Sequence, residues 1–186
     1  MRRILLSISL ICATLWAMAD TIHVAQGSNT IYAAIRQSKA NDVLLLAEGY
    51  YNEANKLSIT HPLTISAAEG FQPTLRMKSR MELSANLEVT NLSIEADGAT
   101  EALRLVPGEQ LSSFKVRRST IKGFSSKTIR VYNTDQEAAY IDSLVIDDCI
   151  LQPSAGRCLE ATAANKQVQH LWIRNSTFDG GAQGVG

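Results

Sequence analysis

Four phrases of one form decide the fold: Leu87-x-Val89-x-Asn91-x-x-Ile94, Phe114-x-Val116-x-Arg118-x-x-Ile121, Leu144-x-Ile146-x-Asp148-x-x-Leu151 and Leu171-x-Ile173-x-Asn175-x-x-Phe178. Their starts are 27, 30 and 27 residues apart, and self-similarity at such a period predicts stacked supersecondary units. The apolar residues alternate within each phrase, so one face of a short strand is buried. Midway between copies falls a second apolar pulse: Leu103-Arg104-Leu105, Ile129-Arg130-Val131 and Leu159-Glu160-Ala161. Two strands per repeat, joined by turns, describe the coil of a solenoid.

The beginning of the 186-residue chain reads differently. Met1-Arg2-Arg3 is positive, Ile4 to Trp16 is apolar apart from small Ser, Thr and Cys, and Ala17-Met18-Ala19 offers a small-x-small cleavage site. That order predicts a secretory signal peptide over residues 1–19, and hence an exported protein that is periplasmic, cell-surface or secreted. No later stretch approaches the ~20 continuous apolar residues of a membrane span. Without Arg2 and Arg3, eighteen Lys+Arg fall to sixteen against eighteen Asp+Glu, a net −2. Such a chain lacks the basic surface that nucleic acid requires. With no charge run or Pro/Gly-rich linker, residues 20–186 read as a single domain.

Taken in order, Thr21 to Ala25 alternates as a first strand. Gly27-Ser28-Asn29-Thr30 offers cap residues before Ile31, Ala34 and Ile35 at helical spacing. This short one-sided helix fits a lid over the first coil, where a bare solenoid end would expose apolar surface and strand edges. Val43 to Ala47 is apolar on both faces. Leu57-Ser58-Ile59 and Leu63-Thr64-Ile65 are short strands split at His61-Pro62, a corner because proline cannot donate to a ladder. The cap and first strands then occupy residues 20–56 and the coils residues 57–186, with the regular repeat starting near Leu87 and the last coil incomplete. A leucine-rich repeat also fits Leu111-x-x-Phe114-x-Val116-x-x-Ser119-x-Ile121. It requires a helical second half where this chain has Thr128-Ile129-Arg130-Val131-Tyr132, a β-branched run with strand preference. The predicted fold is therefore all-β: a right-handed parallel β-helix of about five or six coils with a short N-terminal capping helix.

Two cysteines remain beyond the leader, Cys149 and Cys158. Cys149 occupies the slot held by Leu92, Ser119 and Ser176 in the other phrases, which favours a buried free thiol; a disulfide is the alternative that export permits. His23, His61 and His170 are too scattered for a zinc site. No Ser/His/Asp order supports a hydrolase.

Thr30-Ile31-Tyr32-Ala33-Ala34-Ile35, then Asn41 to Glu53 with its Gly49-Tyr50 turn, then His61-Pro62-Leu63-Thr64-Ile65, resemble the N-terminal cap of secreted pectin-lyase-like parallel β-helix proteins. The resemblance is nearest to the chondroitinase B and alginate lyase group and the β-helix domains associated with it. It implies a polysaccharide lyase-like protein for uronic-acid glycans. Lyases of that group pair a lysine base with an arginine, and a calcium ion neutralises the substrate carboxylate. Calcium is a possibility here through the resemblance alone; the residues themselves show no cofactor. The group's functional residues lie in coils beyond the cap of longer chains, and no position here is assigned to them, so this chain reads as the front portion of a longer protein without the catalytic coils. A non-catalytic module that binds glycan or joins a surface assembly is the alternative.

Stacking the repeats converts slots into columns. Arg104, Arg130 and Glu160 share the outward slot of the second pulse, with Lys127 and Arg157 close in sequence. Such a column can grip an acidic polysaccharide through charge-assisted hydrogen bonds, or it can be a solvated face that keeps the protein soluble. Trp172, level with Glu88, Lys115 and Val145, offers a platform for a sugar ring or packs beneath a loop. Asn91, Arg118, Asp148 and Asn175 sit at the bend after the strand and read as structural, since Asn and Asp tolerate left-handed backbone. Tyr50-Tyr51 reads as cap packing.

Overall fold

The computed structural model describes residues 19–131, 138–161, 166–180 and 183–185. The expected leader therefore lies outside the described residues, apart from Ala19. The chain winds in coils of three strands. A capping coil holds β1 (Thr21–Val24), β2 (Gly27–Ser28) and, where the third strand would stand, helix α1 (Thr30–Gln37). Above it come β3 (Val43–Leu46), β4 (Tyr50–Glu53) and β5 (Leu57–Ile59), then β6 (Leu63–Ala67), β7 (Thr74–Met77) and β8 (Met81–Leu83). The next two coils are β9 (Leu87–Thr90), β10 (Ser93–Ala96) and β11 (Glu101–Leu105), and β12 (Gln110–Arg117), β13 (Thr120–Lys122) and β14 (Lys127–Val131). The last two are β15 (Ala139–Asp147), β16 (Ile150–Gln152) and β17 (Arg157–Glu160), and β18 (Lys166–Arg174), β19 (Thr177–Phe178) and β20 (Gln183–Val185). Every strand pairs in parallel with its counterpart one coil away, which builds three sheets. Sheet A is β1-β3-β6-β9-β12-β15-β18, sheet B runs from β2 to β19, and sheet C from β5 to β20. This is the expected right-handed parallel β-helix, with six three-strand coils among the described residues.

Three strands per coil, rather than the two read from the pattern, follow from the bend inside each phrase. Asn91, Arg118, Asp148 and Asn175 take φ of 58°, 45°, 53° and 47°. A left-handed residue ends one strand and turns the chain into the next, so Leu87 and Val89 belong to sheet A while Ile94 belongs to sheet B. The amides of these bends are not lost. Arg118 N–H donates to the Asp147 carbonyl at 2.8 Å and Asp148 N–H to Arg174 at 3.1 Å, each one coil up. The regular stacking also starts well before Leu87, since Leu63 pairs with Leu87 and Leu44 with Ile65. Shorter coils hid it: those pairs are 24 and 21 residues apart.

Inward positions form an aliphatic core including Leu44, Ile65, Leu75, Val89, Ile94, Phe114 and Ile146, each fully buried. In the third-strand position, Thr128-Ile129-Arg130-Val131 is strand β14 and not helix, which excludes the leucine-rich repeat. Cys149 and Cys158 are buried and unbridged.

The cap differs from expectation in how its helix is satisfied. Asn29 precedes α1 in left-handed backbone and makes no side-chain cap; its Oδ1 instead accepts the Ala54 N–H at 2.9 Å. The helix amides are met from the coil above. Glu53, 1% exposed, accepts Ile31 N–H on Oε1 at 2.9 Å and Tyr32 N–H on Oε2 at 3.1 Å. A carboxylate at a helix N-terminus also opposes the positive end of the helix dipole. Burial pushes the Glu53 carboxyl up, against these two hydrogen bonds. Tyr51 is buried and donates its hydroxyl to the Val24 and Ala47 carbonyls, both at 3.0 Å. Tyr50 is not cap packing: it is exposed, with Arg76 4.3 Å from its ring centroid.

Candidate functional site on sheet C

The outer face of sheet C gathers most of the residues singled out above. Register places Ser58, Glu82, Arg104, Arg130 and Glu160 in one column, and Glu101, Lys127 and Arg157 in a second. In a regular strand, residues i and i+3 point to opposite faces. Here Arg104 and Glu101 are ion-paired at 3.4 Å, and Arg157 and Glu160 at 2.7 Å. The alternation slips because Ala102 and Leu103 both turn inward, as do Thr128 with Ile129 and Cys158 with Leu159; all six are buried. That slip brings two charged columns onto one face.

The two columns form one continuous network. Glu82 receives Lys56 at 2.6 Å, Arg80 at 2.8 Å and Arg104 at 3.7 Å. Glu101 bridges Arg104 to Arg130, the latter at 2.6 Å. Arg130 continues to Glu160 at 3.1 Å, and Glu160 also meets Lys127 at 3.4 Å and Arg157 at 2.7 Å. Among the described residues, six cations thus surround three carboxylates, a formal net of +3. The carboxylates lie deepest, with Glu101 7% and Glu160 8% exposed, while the cations reach further out. Burial opposes ionisation of Glu82, but hydrogen bonds from Lys56 and Arg80 outweigh it and hold its carboxyl below the ordinary glutamate range.

Glu82, Glu101, Lys56 and Arg80 were missed in the sequence. Met81-Glu82-Leu83 has the same apolar-charged-apolar form as Leu103-Arg104-Leu105 and was legible. Glu101 was not, because alternation places it inside.

Trp172 lies elsewhere, on sheet A. It continues the column Glu88, Lys115 and Val145 and is 57% exposed, so it packs beneath no described loop. Glu88 is paired with Lys115 at 3.6 Å and Arg117 at 3.5 Å. The structure therefore does not bring Trp172 together with the five charged residues of sheet C.

A cleft of about 380 Å³ lies at the cap end of sheet C, between α1 and β5. Ser38 and His61 meet there, with Oγ 2.9 Å from Nε2. Ser38 donates its hydroxyl proton to the Ile35 carbonyl at 2.8 Å, so the imidazole donates from Nε2. A base accepting a nucleophile's proton needs the opposite polarity. Among the described residues, no group of three or more His, Cys, Asp or Glu could hold a metal ion, and no helix is long and apolar enough to cross a membrane.

No family model matches the chain, and no curated protein matches it. Solved structures do. The alginate lyase AlyGC, of polysaccharide lyase family 6, superposes with a TM-score of 0.71 at 22% identity, over 85% of this chain and 24% of that one. A variant of the same enzyme gives identical figures. The chain thus spans about a quarter of the length of these two structures. At that identity the likeness shows the fold, a right-handed parallel β-helix.

Proposed function

We propose that this chain is an exported, polysaccharide lyase-like β-helix that holds an acidic, uronic-acid-containing glycan along sheet C, and that it binds the glycan without cleaving it. The observation that carries the reading is the continuous network, among the described residues, of six cations around three more deeply set carboxylates. Coils recur every ~4.8 Å along the axis, so the face repeats its charge as a polyanion does. Guanidinium and ammonium groups bind carboxylates through short charge-assisted hydrogen bonds. The embedded carboxylates fix the cations in place, which lowers the cost of ordering them on binding. Both lysines of the network, Lys56 and Lys127, are engaged in ion pairs, which favours binding over lyase chemistry in these coils.

The test is retention of the purified protein on immobilised alginate against a neutral glucan. Retention on alginate alone is expected, weakening with salt as screening shortens from ~10 Å at 0.1 M to ~3 Å at 1 M. Arg104→Ala with Arg130→Ala is expected to weaken binding about tenfold, some 1.4 kcal/mol. Equal retention on both matrices would overturn the reading, and so would new absorbance from unsaturated uronic ends. For export, the mass of the product from its native host is expected to begin at Asp20.

A further inference from the structure

The cleft between α1 and β5 combines one cation, Arg36, with polar and apolar side chains, and it heads the sheet C column. We propose that it is a distinct subsite for one carboxylate-bearing sugar residue at the end of a glycan chain. The inference rests on the acidic-glycan reading and adds the place where the chain ends. Its walls combine the chemistry of such a residue. Arg36, exposed on α1, stands over the Tyr32 ring, 5.8 Å from its centroid, and both residues line the cleft. A guanidinium pairs with a carboxylate in forked geometry, and the ring beneath it steadies the cation.

Hydroxyls of Ser38, Ser58 and Thr60, the His61 imidazole and Ile35 line the rest. His61 is held at Nε2 by Ser38 at 2.9 Å, which orients the ring in the wall. The volume falls at the small end of the ~300–1,000 Å³ of ligand sites, enough for a single sugar. Ser58 is the register neighbour of Glu82, so the cleft opens directly onto the charged column. On the far side, α1 occupies the place of a sheet C strand, at the cap end of the sheet. A polymer lying along sheet C therefore meets a stop at the cap, and its terminal residue is the one the cleft receives.

The experiment follows the His61 ring resonances by NMR while the protein is titrated with a mannuronate trisaccharide, its carboxyl-reduced neutral counterpart, or sodium sulfate. The acidic trisaccharide is expected to shift them saturably, and Arg36→Ala, a surface change outside the core, to weaken that binding at least fivefold. Arg130→Ala is expected to lower retention on alginate while leaving the His61 response intact. Silence of His61 toward the acidic trisaccharide would overturn the subsite, as would an equal response to the neutral sugar or to sulfate. If Arg130→Ala loses retention while Arg36→Ala binds trisaccharide like the unaltered protein, the cleft falls and the sheet C reading stands. If the unaltered protein is not retained on alginate, the sheet C reading falls, and the His61 titration still decides the cleft.

Discussion

Arg130 reaches back one coil to place a guanidinium nitrogen 2.6 Å from a Glu101 carboxylate oxygen. The contact spans 29 residues of sequence and joins two strands that are register neighbours. Glu101 lies below the cations of the face, and through Arg104 and Arg130 it links the cap half of the network to the half around Glu160.

Glu101→Gln should therefore act in opposite directions on stability and on binding. Replacing a buried charged partner costs about 2 kcal/mol, typical of hydrogen bonds to charged groups. The same change raises the formal charge of the network by one and is expected to tighten retention on alginate. Urea unfolding and a retention assay on one sample check both. A variant as stable as the original would mean that the pair is solvent-screened.

Cys149 behaves as a serine in the bend. Its Sγ lies 3.2 Å from the carbonyl of residue i−2, Asp147, as Ser119 Oγ lies 2.7 Å from Arg117 O and Ser176 Oγ 2.7 Å from Arg174 O. Cys149→Ser is expected to change stability by less than about 1 kcal/mol, since the hydroxyl makes the same bond more strongly. Burial pushes the thiol's pKa up, and the thiolate is the reactive form. A disulfide reagent should thus label Cys149 at neutral pH only after denaturant is added; rapid labelling of the folded protein would contradict this burial.

Two glutamates should bend the stability profile in opposite senses. The folded chain holds Glu82 below the ordinary range, so an unfolded chain binds that proton more readily. Its contribution is present above ~4.3, the unperturbed glutamate value, and is lost as pH falls through the lower folded value. Glu53 is raised, so its contribution is complete below the unfolded range and fades as pH rises through the folded value. Urea midpoints across acid and neutral pH should show a flatter acid limb in Glu82→Gln. An acid limb as steep as the original's would assign the loss to other carboxylates.

Arg118 is the one of the four phrase bends held by neither Asn nor Asp, at φ 45°. Left-handed backbone costs an ordinary side chain about 1–2 kcal/mol. Arg118 regains part of this through Nε donating to Asn91 Oδ1 at 2.8 Å in an exposed pair. Arg118→Asn is expected to stabilise by about 0.5–1 kcal/mol and Arg118→Val to destabilise by more. Thermal melts of the two variants check the order, and a Val variant more stable than the Asn variant would refute it.

The bends and the inward columns were legible because they are local. A left-handed corner prefers Asn or Asp, and a strand that buries one face must alternate, whatever lies above it. Hence Asn91, Asp148 and Asn175 read correctly as structural, and Leu87, Phe114, Leu144 and Leu171 proved to be register partners. The third strand was missed because the bend lies inside the repeated phrase, and the early coils because their lengths vary. The helix cap was misread for a different reason: Asn29 is the right residue in the right place, yet Glu53 of the next coil satisfies the helix amides.

What the sequence by itself determined is the coil, its apolar interior and its corners, since each depends on backbone preferences and burial within a few residues. Which charges meet on the outside was decided by the tertiary structure alone. Arg104, Arg130 and Glu160 could be aligned by eye, but Glu82 reaches Arg104 and Glu101 reaches Arg130 from the turn before, and Glu101 faces outward only because the strand slips at Ala102. Coil length and strand slip set those meetings, and both arise when successive turns pack against one another.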